Sequence, residues 1–111
     1  MDKWEETVRA MRATFEGTDF ASDIRFVITD LDRSLTLTGK DGAIEAIEDS
    51  DDRCTTEMRL TMKDANKIAM RKLSPMKAIT LLRLKVSGDM SQAIKIAGYF
   101  NRPLPEDLFA S

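Results

Sequence analysis

The run from Arg71 to Met90 constrains the fold of this chain more than any other part of it. Ser74-Pro75 reads as an N-cap followed by proline at the first helical position. Leu82, Leu84 and Val86 then alternate with Arg83, Lys85 and Ser87, the period of a half-buried strand. Gly88-Asp89 breaks that strand, and Asp89 serves as the N-cap of another helix beginning at Met90. Helix, strand and helix follow within twenty residues, so an apolar sheet face must lie directly beside short helices. Such a corner either closes completely or leaves a space between its layers.

The rest of the chain supplies the sheet. Trp4, Val8, Met11 and Phe15 fall at helical spacing, which predicts an amphipathic helix over 3–16 ending at Gly17. Asp23 to Leu31 reads as a strand with Ile24, Phe26 and Ile28 on one side, and Leu35 and Leu37 mark a second. Lys40-Asp41-Gly42 is a hairpin signal of the kind that suits positive φ. Ala43 to Glu48 is a third strand and Cys54 to Met62 a fourth, with Met58, Leu60 and Met62 facing one way. The period then becomes helical over Asp64 to Lys72 and Ser74 to Leu81, with Leu82 to Ser87 as a fifth strand. Asp89 to Tyr99 is helical with Met90, Ala93, Ile94 and Ala97 inward, and Pro103 to Phe109 forms a last short turn. The predicted order is helix, four-strand antiparallel meander, two helices, strand, helix. The fold class is α+β: a five-stranded, mostly antiparallel sheet with helices packed on one face.

A chain of 111 residues corresponds to one domain over 1–111, large enough for a real core. Hydrophobic residues at 42% and charged residues at 32% fit a globular protein, and no apolar run is long enough for a bilayer span. The first residues lack the basic-then-apolar order of a signal peptide, so cytoplasmic residence is the expectation. There is no histidine, which removes the commonest general base and the usual metal ligand. The net charge of −2 hides an uneven spread: residues 1–52 hold 6 Lys+Arg against 14 Asp+Glu, and residues 53–102 hold 11 against 3. Either the two halves interleave and offset each other, or a basic face meets anionic headgroups. Nucleic acid is not an expected partner, because aromatics are few and no binding motif is present.

The stretch from Thr55 to Tyr99 resembles the sterol-carrier-protein type two family of lipid-transfer domains. Thr56-Glu57-Met58-Arg59-Leu60-Thr61-Met62-Lys63-Asp64 is similar to that family's strand ending in a methionine before a helix-starting aspartate. Lys72-Leu73-Ser74-Pro75-Met76-Lys77-Ala78 resembles its Lys-Leu-x-Pro-x-x-Ala element. Leu84-Lys85-Val86-Ser87-Gly88-Asp89-Met90, with Ala93 and Lys95 beyond, resembles its Leu-Lys-x-x-Gly-Asp-Met-x-x-Ala-x-Lys element. Two departures concern glycines: the family often has glycine where this chain has Arg71 and Arg83, and a side chain at either place could narrow a tunnel mouth.

The resemblance implies a non-enzymatic module that binds or transfers a fatty acid, acyl-CoA or sterol-like lipid in a hydrophobic cavity between helices and sheet. The residues assigned to line it are Met62, Ile68, Met76, Ile79, Leu84, Ile94, Phe100 and Phe109. Seven methionines suit an adaptable lining, although an inward methionine is more often plain core. Arg71, Lys72, Lys77 and Arg83 either ring the mouth and hold a carboxylate or phosphate, or are solvated ends of elements. Leu108 and Phe109 follow the Pro103-Leu104-Pro105 break as a lid or as a docked tail. A transient membrane-surface contact and a homodimer accompany this reading. The alternative is an accessory or protein-interaction domain that kept the fold and filled the cavity.

Other chemistries find little support. No catalytic residue, metal site or cofactor is assigned. The acidic run Glu48-Asp49-Ser50-Asp51-Asp52 lacks the glycine and distal glutamate of a calcium loop. Asp30 and Asp32 read as turn residues rather than as general bases. Cys54 has no histidine to activate it.

Overall fold

A computed structural model describes residues 2–108. Its elements are α1 (Lys3–Phe15), β1 (Asp23–Ile28), β2 (Arg33–Lys40), β3 (Ala43–Glu48), β4 (Thr56–Leu60), α2 (Met62–Ala69), α3 (Pro75–Thr80), β5 (Lys85–Gly88) and α4 (Met90–Tyr99). All five strands form one sheet in the order β3-β2-β1-β4-β5. The fold is α+β with a mostly antiparallel sheet.

Local chemistry sets most of these boundaries. Asp2, Thr61, Ser74 and Asp89 each accept a backbone N–H from the first turn of the helix they precede. Pro75 occupies the first turn of α3, where its missing N–H costs nothing. Between β2 and β3, Asp41 and Gly42 both adopt positive φ, +54° and +82°, the two-residue turn that matches strand twist. Gly88 is required for a second reason. Its φ is +96°, and a Cβ there would lie 2.2 Å from the Thr55 carbonyl oxygen.

The pairing of strands differs from a meander. β1–β2, β2–β3 and β4–β5 are antiparallel, but β4 crosses the sheet and pairs parallel to β1, with Ile24 opposite Thr56 and Phe26 opposite Met58. Alternation shows which face a strand buries but not which neighbour it takes. The crossing segment is held by side chains of β1 itself. Asp23 accepts from the Thr55 N–H at 2.8 Å and from its hydroxyl at 2.5 Å, and the Arg25 guanidinium donates to the Asp52 carbonyl.

Other features also depart from the sequence reading. Met62 begins α2 instead of ending β4, because Thr61 turns to cap the helix. Leu82 lies outside β5: it is 81% exposed with φ +60°, and the strand starts at Lys85. On α4, Met90 and Ile94 face solvent at 49% and 54% exposure, while Ile96 takes the inward position. Two small residues, Ala93 and Ala97, let α4 lie close on the sheet, which rotates its bulky inward residue to Ile96.

The core sits between the helices and the face of the sheet carrying Ile24, Phe26, Ile28, Leu35, Leu37, Met58 and Leu60. Trp4 joins α1 to that face: its indole N–H donates to Glu48 at 2.7 Å, and the Arg33 guanidinium stacks 4.5 Å from the ring centre. Phe15 contacts Phe20, Tyr99 and Phe100 at centroid distances of 4.9, 5.4 and 5.8 Å, joining α1 to the end of α4. Such aromatic pairs contribute about 0.5–1.5 kcal/mol each beyond their buried area.

Candidate ligand groove

Helix α2 borders a largely apolar depression. Its start is fixed twice. Thr61 Oγ1 accepts from the Asp64 N–H at 3.2 Å, and Asp30 Oδ1, from the turn after β1, accepts from the Met62 N–H at 2.9 Å. Its flank is fixed by α1, where the Thr7 hydroxyl bonds to Asn66 Oδ1 at 2.5 Å and lies 3.5 Å from the Met62 sulfur. These contacts hold α2 against α1 and the β1–β2 turn but leave a groove of about 520 Å³ between them. Leu31, Met62 and Met70 supply its apolar surface. Lys3, Lys63, Lys67 and Lys72 edge it, with Asp30 as the one carboxylate among the lining residues. Among the described residues none of these four ammonium groups pairs with a carboxylate. The volume lies within the range of small-molecule sites, and the charge favours an anionic group beside an apolar body.

Of the residues assigned to a lipid site, Met62 and Lys72 line this groove. Ile68, Leu84 and Phe100 lie in the core at 3–5% exposure, and Met62 and Ile79 are half-buried against it. Met76 and Ile94 are on the surface at 46% and 54% exposure, and Phe109 lies outside the described residues. The set therefore divides between the core and the surface. The sequence reading missed Lys3, Leu31, Lys63 and Lys67, because they come from three separate segments that only the fold brings together.

Arg71 has a different task from a headgroup ligand. It adopts φ +62° immediately after α2, the left-handed cap position that glycine normally fills. Its Nε donates to the Arg102 carbonyl at 2.9 Å, Nη1 to the Ala69 carbonyl at 2.7 Å and Nη2 to Thr14 Oγ1 at 3.2 Å. The guanidinium also lies 5.4 Å from the centre of the Phe100 ring. These contacts offset the backbone strain and tie the end of α2 to α1 and α4. Lys77 is exposed on α3, and Arg83 lies 3.9 Å from Asp64 at half exposure.

A second depression, of about 370 Å³, opens beside α4 and is more polar. Within it Tyr99 donates to Asp19 at 2.5 Å, and Lys95 lies nearby. That hydrogen bond, with Lys95 adding to it, holds the Asp19 carboxyl below its usual range. Burial, then the Asp19 charge, pushes the Tyr99 phenol up to about 12. Burial also pushes the half-buried Cys54 thiol up, which disfavours the thiolate. Among the described residues no three His, Cys, Asp or Glu side chains converge as a metal site.

A model of the SCP-2 sterol transfer family matches residues 7–101. The chain belongs to that family. Among solved structures, sterol carrier protein-2 from Aedes aegypti in complex with palmitate superposes with a TM-score of 0.72 at 15% identity, covering 90% of this chain and 96% of that one. The ubiquinone synthesis protein UbiJ-SCP2 superposes at 0.62 with 14% identity, covering 84% of this SCP-2 chain and 76% of its own. Both likenesses are of fold. A double mutant of the sec-alkyl sulfatase PisA1 is 25% identical with a TM-score of 0.67 over 81% of this chain, which spans 14% of the sulfatase chain. No curated protein matches the sequence significantly.

Proposed function

We propose that this SCP-2 family chain is a non-enzymatic, cytoplasmic carrier, a single binding domain that holds one apolar lipid with an anionic end. The observation that carries the reading is the groove beside α2, where Leu31, Met62 and Met70 are edged by four lysines. A fatty acid or acyl-CoA meets both demands at once, and a sterol-like molecule meets the apolar one. Met62 lines the groove and packs against the core, so its flexible thioether is the side chain that a tail displaces to move inward. Lys67 and Lys72 then hold the carboxylate or phosphate, while Arg71 keeps the end of α2 in place. The palmitate bound by the Aedes aegypti protein supports this class of ligand.

The test is displacement of a fluorescent fatty acid by palmitate, with native mass spectrometry of the protein as purified. Saturable displacement that weakens in Met70→Asp and in Lys67→Glu/Lys72→Glu is the expected result. A lipid-free mass with no displacement would overturn it.

A second reading, an accessory domain with a filled core, is favoured by Ile68 and Leu84 at 3% exposure and Phe100 at 5%. It predicts dimerisation or partner binding without lipid, which sedimentation velocity separates from the first.

A further inference from the structure

The two ends of the sheet carry opposite charge. The order β3-β2-β1-β4-β5 keeps the halves of the sequence apart. Strands β1 to β3 come from residues 1–52, with 6 Lys+Arg against 14 Asp+Glu, and β4 and β5 from residues 53–102, with 11 against 3. The helices follow the same division, with α1 against β2 and β3 and α4 against β4 and β5. The halves therefore do not interleave: the molecule is acidic toward β3 and basic toward β5. Glu45 is exposed on β3, and Lys85 is exposed on β5 just after the exposed Arg83. Neither Glu45 nor Lys85 has an ion-pair partner among the described residues. The nearest charges of the other sign in sequence are Lys40 before β3 and Asp89 after β5.

Both ends are also open. β3 pairs with β2 alone and β5 with β4 alone, so each leaves a row of backbone groups without a strand partner. Among the described residues no backbone hydrogen bond from outside the ladder reaches 43–48 or 85–88. The pairings fix the directions. β3 runs with β1 because both oppose β2, β1 runs with β4, and β5 opposes β4. The two edge strands thus run in opposite directions, and a second copy shifted across the sheet presents its β5 to β3 as an antiparallel pair, with its helices on the same side. Placing Glu45 opposite Lys85 on the helix-free face sets Ile44 against Val86 on the core face. We propose that copies of this chain associate head to tail, the basic β5 edge of one adding to the acidic β3 edge of the next. Like charges keep β3 from β3 and β5 from β5, so only the mixed contact is favoured. Such a contact does not close on itself, and sheet twist turns each copy relative to the last, so it builds an open series rather than a dimer. This association goes beyond the carrier reading, and its geometry does not use the groove.

The experiment is sedimentation velocity of the whole chain at low and high salt, from about 10 μM to about 1 mM, the range of a weak contact of small area. The sedimentation coefficient is expected to rise with concentration past the value of a dimer at low salt and to fall back at high salt. Amide hydrogen exchange is expected to slow with concentration in 43–48 and 85–88 and nowhere else. Glu45→Lys and Lys85→Glu each weaken the association at least about fivefold, and the double variant, which exchanges the two charges, restores it. Displacement of fluorescent fatty acid is unchanged in all three, because neither residue lines the groove. A wild type that stays monomeric throughout would overturn the proposal and leave these edges to some other partner. A closed dimer with no larger species, or a double variant no better than the single ones, would overturn it equally. A wild type that displaces no fatty acid yet builds the series supports the association and counts against the carrier reading alone.

Discussion

The Tyr99 hydroxyl donates to Asp19 Oδ1 at 2.5 Å, tying the last turn of α4 to the segment that links α1 to β1. The bond needs a neutral phenol and an ionised carboxylate, so it is sensitive to pH at both extremes. Tyr99 titrates near 12 in the fold against 10 when unfolded, so its contribution is complete below pH 10 and lost as pH rises from 10 to 12. The Asp19 carboxyl lies below its ordinary 3.8, so that contribution is present above about pH 4 and lost as the carboxylate protonates. Urea unfolding of wild type and Tyr99→Phe across pH is expected to show a wild-type advantage at neutral pH. The advantage disappears toward pH 12 and again in acid.

Arg71 offers a test of backbone against side chain. Arg71→Ala removes three hydrogen bonds and keeps a Cβ at φ +62°, whereas Arg71→Gly removes the same bonds and relieves the strain. The glycine variant is expected to be the more stable of the two by about 1 kcal/mol. Denaturant midpoints at unchanged slope measure the difference.

Asp30 combines a structural and an electrostatic role. Its carboxylate accepts from the Met62 N–H and is the acidic residue in a groove of four lysines. Asp30→Ala leaves that N–H without its partner and is expected to cost about 1 kcal/mol in thermal or urea unfolding. Asp30→Asn keeps an acceptor and removes the charge. Its affinity for palmitate, read by fluorescent fatty-acid displacement, is expected to rise about two- to fivefold.

Gly88 has no room for a side chain. Gly88→Ala places a methyl group 2.2 Å from the Thr55 carbonyl oxygen at φ +96°. Relief requires β4 and β5 to part, with an expected loss of roughly 2 kcal/mol or more, read from the urea midpoint.

Features decided by a few neighbouring residues were legible in the sequence. The Asp41-Gly42 turn, the caps Ser74 and Asp89, and the bounds of β3 follow from local backbone chemistry. The family was legible in three short motifs between Thr56 and Lys95, and residues 7–101 match its model. Features decided by distant contacts were not. Met62 continues the alternation of Met58 and Leu60, so the start of α2 at Met62 is invisible until Asp30 arrives from the turn after β1 to accept the Met62 N–H. Leu82 mimics the alternation of a strand, although the close of α3 puts it outside the sheet. The groove draws on α1, the β1–β2 turn and α2, and no local pattern joins Lys3 to Lys67.

The parallel pairing of β1 with β4 sets an order of events on the ribosome. The β1–β2–β3 hairpins can close once residue 48 is available, but the outer edge of β1 stays without its partner until Leu60 has emerged. During that interval Ile24, Phe26 and Ile28 lie on a sheet still lacking its α2 and α4 cover. Synthesis of this chain thus passes through a stage in which half a sheet must wait, and a nascent partner strand or a chaperone has its opening there.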